Sequence, residues 1–171
     1  FASLMRKILQ NSHLKYISVQ DEVDGLNLYL EMEKMRMDDN LDYSISTENI
    51  EDLETTNIPT MLIQPFVENS IVHGLLPKEK NRKLDVVISK NSNQLLCSVL
   101  DNGIGREESR KMNAKRSSKH KSAGMDLTSK RLKILSEGQG DFDVTIEDLI
   151  ADDGKTGTLV KLVIPIIKKI D

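Results

Sequence analysis

A chain of 171 residues with 30% charged and 38% hydrophobic residues has the size and balance of one folded domain, or of one domain with a helical extension. Its net charge of −3 argues against a nucleic-acid partner, no apolar run of about 18 residues is present to span a membrane, and no secretory leader is visible. The single Cys97 rules out an internal disulfide and fits a reducing compartment, and with 4% aromatics and no Trp the core must be built from Ile, Leu, Val and Met.

The chain opens inside an apolar repeat, Phe1, Leu4, Met5, Ile8 and Leu9. That spacing predicts the end of an amphipathic helix over residues 1–12 and marks the chain as a piece of a longer protein. Ser18-Val19-Gln20-Asp21 reads as a capping box, in which the hydroxyl accepts from an early backbone N–H and the acid reaches back. The helix it opens carries a stripe of Val19, Val23, Leu26, Leu30 and Met37, suited either to a partner helix or to the domain's own sheet. Asp38-Asp39-Asn40 ends it. Residues 41–47 alternate as a strand, and 48–57 form an acidic polar loop. Pro59 is then expected to open a helix that runs to His73 and stops at Gly74, with Pro65 removing one internal hydrogen bond and bending it. Residues 84–90 and 94–100 read as strands joined by an Asn/Ser turn, 102–122 as a polar segment, 124–137 as a helix, and 142–149 and 157–164 as strands. The sum is four or five strands, mostly with hairpin-type connections, and three or four helices. It favours an α+β sandwich with helices on one face of a mixed sheet.

Three segments concentrate the chemistry. In Pro65-Phe66-Val67-Glu68-Asn69-Ser70-Ile71-Val72-His73-Gly74, Asn69 and His73 are four apart and share a helix face, with Glu68 about 100° round the axis. An amide, a carboxylate and an imidazole on an apolar helix suit a hydrated Mg²⁺ and phosphate oxygens, although a helix end with a capping cluster has the same composition. In Leu100-Asp101-Asn102-Gly103-Ile104-Gly105, Asp101 follows an apolar strand and so is partly buried, and a buried carboxylate needs donors. An adenine amine is one such donor, and the two glycines admit a flat base to the backbone. Asn-Gly is also a hairpin signal, but a long polar segment follows in place of a strand. The third segment, Ser122-Ala123-Gly124-Met125-Asp126-Leu127-Thr128, opens a helix whose free N–H groups would suit an anion. Between the second and third lies a run with seven basic residues (Arg106, Arg110, Lys111, Lys115, Arg116, Lys119 and Lys121) against Glu107 and Glu108. It suits a lid over a polyphosphate or a solvated loop. There is no P-loop motif, no early GxGxxG, no HRD or DFG, no Cys/His zinc spacing and no GxSxG.

Taken in this order, the segments resemble the GHKL (Bergerat) ATP-binding fold shared by gyrase, Hsp90, histidine kinases and MutL. Pro65 to Gly74 is similar to the family's Asn box, Asp101-x-Gly103-x-Gly105 to its first glycine box, Ser122 to Leu127 to its second, and Gly157-Thr158-Leu159-Val160 to its terminal strand. Pro59 to Gly74 and Tyr29 to Arg36 most resemble the LytS/YehU-like branch of sensor histidine kinases. The resemblance implies a two-layer α/β sandwich, its helices on one face of a mixed, mostly antiparallel sheet. It implies residues 1–38 as the helical tail of a dimerisation and linker region, and residues 39–171 as the ATP-binding catalytic domain. It implies Asn69 as the Mg²⁺ ligand, Glu68 as its acidic catalytic neighbour and His73 beside phosphate or ribose. Asp101 would be the adenine acceptor in a pocket shaped by Gly103, Ile104 and Gly105. Lys119, Ser122, Gly124 and Met125 would lie near the phosphates, and Thr158 would support Asp101.

The activity so implied is transfer of the ATP γ-phosphoryl group to a histidine upstream of residue 1, for relay to a response regulator. The setting implied is a homodimeric parent, with this piece a cytoplasmic domain of an inner-membrane sensor that itself touches neither membrane nor nucleic acid. Three positions depart from the family pattern: Val72 replaces a Lys, Ser122 a Gly and Leu127 an Asn. The family's Pro-His-Phe-Leu-Phe-Asn acceptor motif surrounds none of His13, His73 and His120, so this piece is expected to phosphorylate itself little. An ATPase of the same fold with Glu68 activating water, and a docking module with decayed nucleotide binding, are the competing readings.

Overall fold

The computed structural model describes residues 2–11, 13–115, 142–150 and 156–166. Helix α1 (Ala2–Asn11) leads into a short strand β1 (Tyr16–Ser18) and the long helix α2 (Val19–Arg36). Strands β2 (Leu41–Glu48) and β3 (Asn57–Pro59) precede α3 (Gln64–Asn69), which continues without a break as a π-helical turn over Ser70–Leu75. The hairpin β4 (Arg82–Asn91) and β5 (Gln94–Asp101) is followed by α4 (Arg106–Lys115), and β6 (Asp143–Ile150) and β7 (Thr156–Pro165) complete the described elements.

Five strands form one sheet in the order β2-β4-β5-β7-β6, and β1 and β3 form a separate two-stranded ribbon. Only the β2–β4 pair of the large sheet is parallel; the other three pairs are antiparallel. One face of this sheet supplies Leu84, Val86, Ile88, Leu95, Cys97, Val99, Val160, Leu162 and Ile164 to the core. The helices lay Leu26, Leu30, Phe66, Val67, Ile71 and Leu75 over them. The expected α+β sandwich, with helices on one face of a mixed and mostly antiparallel sheet, is the architecture observed.

The α2 stripe resolves in favour of the domain's own core. Val19, Leu26, Leu30 and Met37 are buried and Val23 is partly buried. Ser18 caps α2 as its sequence suggests, accepting from the Asp21 N–H at 3.0 Å. Asp38 and Asp39 end it in left-handed conformations, φ 52° and 59°, which short polar side chains tolerate better than most.

Four local expectations are corrected. Pro59 does not open a helix. It closes β3, opposite Tyr16 of β1, where its missing N–H costs no ladder bond. The ribbon is pinned beyond it by the Thr60 hydroxyl donating to Leu14 O at 2.7 Å. The helix therefore starts at Gln64, and Pro65 sits in its first turn, where proline bends nothing. Gly74 does not stop the helix. The backbone widens there to i→i+5 bonding, with the Leu76 N–H donating to Ile71 O at 2.8 Å, and Gly74 O accepts from the distant Ile104 N–H at 3.0 Å. Finally, the polar segment after Gly105 is helical over its first ten residues, as α4, with Glu107 and Glu108 in the first turn where the helix dipole favours them. The expected helix over 124–137 lies outside the described residues.

Candidate functional site

Period-two alternation carries Leu95, Cys97 and Val99 to the helix-covered face of β5, and the same alternation carries Asp101 there. Its side chain ends 2% exposed. Burial pushes its carboxyl above the ordinary carboxylate range. Donors from the Gly103 backbone, the Ser70 hydroxyl and the Thr158 backbone pull the other way, as does the charge of Lys78. The Gly103 N–H donates to Asp101 Oδ1 at 2.8 Å. A carboxylate offers about four lone-pair sites. Three donors leave acceptor capacity for one more N–H.

The Asn-box helix and the turn after β5 meet with no space for side chains. A Cβ at Gly74 would lie 3.0 Å from Asp101 Oδ1, and one at Gly103 would lie 2.5 Å from the Gly74 carbonyl carbon. From the neighbouring strand, a Cβ at Gly157 would lie 2.3 Å from Asp101 O, and Thr158 stands directly across from Asp101 in the β5–β7 register. The Thr156 hydroxyl donates to Gly103 O at 2.8 Å, and Gly105 turns the chain at φ 77°, a conformation glycine adopts freely. On the other side of the turn, Asn102 spans to the start of β4: its amide nitrogen donates to Asn81 O and its oxygen accepts from the Lys83 N–H, each at 2.8 Å. Lys78 Nζ donates to Asn102 O at 2.7 Å.

Glu68, Asn69 and His73 lie on the helix against this cluster and all three are half-buried. Glu68 accepts from Gln64 Nε2 at 2.8 Å. Asn69 marks the junction between α-helical and π-helical backbone, and His73 falls inside the π turn. Such bulges concentrate at functional sites. Val72, where the family pattern has Lys, is exposed. Among the described residues no three His, Cys, Asp or Glu side chains converge to hold a metal ion by themselves. The donors present suit Mg²⁺ that keeps most of its ligands as water or phosphate oxygen.

Tertiary packing thus brings Ser70 and Gly74 of this helix together with Asp101, Gly103, Ile104 and Thr158, from three segments of chain, while Asn69 and His73 sit on the same helix beside Ser70 and Gly74. Lys119, Ser122, Gly124 and Met125, with Leu127 and His120, lie outside the described residues. Sequence reasoning passed over Ser70, Lys78 and Gly157. Ser70 and Gly157 sat within quoted motifs, and their contact with Asp101 was the missing signal. Lys78 had no local signal, because it reaches the turn only through the fold.

No protein-family model matches the chain. The sensor protein LytS of Oceanobacillus iheyensis is 34% identical over 107 residues, which is 63% of this chain and 18% of that protein. The sensor histidine kinase BtsS of Escherichia coli is 27% identical over 88 residues, 52% of this chain and 15% of that protein. The chain spans about a fifth of the length of the LytS relatives it matches. The catalytic domain of the histidine kinase ThkA superposes with a TM-score of 0.56 at 17% identity, covering 88% of this chain and 93% of that one. ThkA in a complex with the response regulator TrrA gives the same TM-score over 97% of this chain and 47% of that one. The fold is that of histidine-kinase catalytic domains, and the sequence kinship is with LytS-like sensor proteins.

Proposed function

We propose that this chain, with the fold of a histidine-kinase catalytic domain and the sequence kinship of LytS-like sensors, is the Mg·ATP-binding catalytic part of such a kinase. The observation that carries the reading is the buried carboxylate of Asp101, wrapped by the Gly74 and Gly103 backbones with room for neither Cβ. A carboxylate so placed has a use if it accepts an N–H from a flat ligand, and an adenine amine has that chemistry.

In this reading ATP supplies the phosphoryl group to be transferred and Mg²⁺ neutralises its charge. Asp101 orients the base, with Gly103, Ile104 and Gly105 shaping the pocket and Thr158 supporting Asp101 from β7. The Asn69 oxygen is the protein ligand for the ion, Glu68 sets the water or metal beside it, and His73 faces the phosphates or ribose. Lys119, Ser122, Gly124 and Met125 complete the phosphate side by resemblance alone. Residues 1–38 correspond to the dimerisation and linker region and 39–171 to the catalytic domain, with α2 the part of the linker that seals the core. The acceptor histidine belongs to a segment upstream of this chain, in a homodimeric parent whose response regulator takes the phosphoryl group. Phosphoryl transfer of this kind is mostly positioning and charge neutralisation. No helix among the described residues is long and apolar enough to cross a membrane. Placement as the cytoplasmic domain of a membrane-bound sensor is part of the same proposal.

Calorimetric titration with ATP and ADP, with and without Mg²⁺, tests it on the wild type and on Asp101→Asn. Binding in the micromolar to sub-millimolar range that collapses in the variant supports the reading. Absence of binding to the wild type at millimolar ATP overturns it.

A further inference from the structure

The helix that carries Glu68 and Asn69 has no cap of its own. Ile63 precedes it with no side-chain hydrogen bond to its first turn. Met61 just before is held at φ 54°, a left-handed conformation that strains a residue of its bulk. The cap comes from 41 residues upstream. One oxygen of Glu22, on α2, accepts from the Ile63 N–H at 3.2 Å and from the Gln64 N–H at 3.3 Å. Glu22 is 5% exposed. A buried carboxylate is an expensive way to satisfy two N–H groups that a local Ser or Asp could satisfy. What the expense secures is a connection between two helices.

At the far end of the helix, Arg82 Nε donates to Leu75 O at 2.9 Å, so an acid holds the N-terminus and a base the C-terminus, matching the helix dipole.

We propose that Glu22 is a positioning residue for the Asn69 helix, tying its N-terminus to α2 so that the setting of α2 sets the placement of Glu68 and Asn69. The inference rests on the nucleotide site described above. It adds a residue that touches no ligand and acts only through the helix.

The test uses this chain with Glu22→Ala, Glu22→Gln and Glu22→Asp, and Leu95→Ala, on β5, as a cavity control in the core. Amide hydrogen exchange without nucleotide is the first readout. Exchange at Ile63 and Gln64 should accelerate about tenfold in Glu22→Ala, as expected when an N–H loses its acceptor. It should stay near wild type in Glu22→Gln, which keeps an acceptor oxygen. If Glu22→Ala does not fold, Glu22→Asp, one methylene too short to reach, carries the same expectation. ATP affinity, measured where each protein is folded, is the second readout. It should fall about tenfold in the uncapped variant, recover in Glu22→Gln, and hold in Leu95→Ala. Unchanged exchange at Ile63 and Gln64, or an affinity loss no greater than that of the cavity control, overturns the proposal. A wild type that binds no ATP but shows the exchange effect leaves Glu22 as the cap and sinks the nucleotide reading instead.

Discussion

A Cβ added at Gly74 would stand 3.0 Å from the Oδ1 of Asp101, so the helix and the strand end that carry these residues approach as closely as two backbones with one side chain between them can. The obstacle for Gly74→Ala is a carboxylate that can yield by a few tenths of an ångström. The fold should survive with a loss of about 1 kcal/mol while ATP affinity drops tenfold or more, because Asp101 is the group displaced. For Gly103→Ala the obstacle is the Gly74 backbone at 2.5 Å, which cannot yield without breaking the Ile104–Gly74 bond. It should cost roughly 3 kcal/mol or more. Denaturant unfolding and calorimetry on the two variants check the order. A Gly74→Ala protein with wild-type affinity would show that the close approach is structural only.

Asp101 also sets a pH dependence. Burial raises its carboxyl above the ordinary value of 3.8, so between that value and its raised one the native state holds a proton the unfolded state has released. Stability therefore falls as pH rises through that window. Asp101→Asn has no proton to release. Without nucleotide its melting temperature relative to wild type should be higher at pH 7 than at pH 3, by a few degrees. A difference that does not change with pH would mean the carboxyl titrates normally.

Asn69 and Glu68 separate metal binding from hydrolysis. Asn69→Ala should abolish the Mg²⁺-dependent part of ATP affinity and leave Mg²⁺-free ADP binding within about threefold, since one oxygen ligand is lost and the base contacts remain. Glu68→Gln should leave binding intact. An ATPase rate in the wild type that vanishes in Glu68→Gln would move the function from kinase to ATPase.

Cys97 provides a probe of folding. Its thiol is 2% exposed on the core face of β5, and burial, then the nearby Glu22 charge, pushes its ionisation far up. Native protein should resist iodoacetamide, and labelling should follow the unfolding rate as denaturant is added. Cys97→Ser should cost about 1–3 kcal/mol by burying a hydroxyl without an assured partner. Fast labelling of folded protein would contradict the packing.

The legible parts of the sequence were those decided within a few residues. Alternation over 94–100 marks a strand, and continuing it by one residue puts Asp101 inside. Ser18 and Asp21 mark the start of α2 because a cap is a local bond. The Asp101-x-Gly103-x-Gly105 spacing reads as a turn needing bare backbone, and the close approach of Gly103 to Gly74 shows why.

What only the tertiary structure decided are pairings across long separations. Pro59 reads as a helix start until Tyr16 pairs opposite it and makes it a strand end. The α2 stripe suits a partner helix or a sheet equally well, and only assembly of the core chooses the sheet. The parallel register of Leu41 with Arg82 has no turn between the strands to announce it. Glu22 looks like any exposed acid in a first helical turn, and only folding places it under Ile63 and Gln64. The reason is the same each time: periodicity and caps are properties of a short window of chain, whereas burial and hydrogen-bond partners belong to surfaces that exist only after distant segments have met.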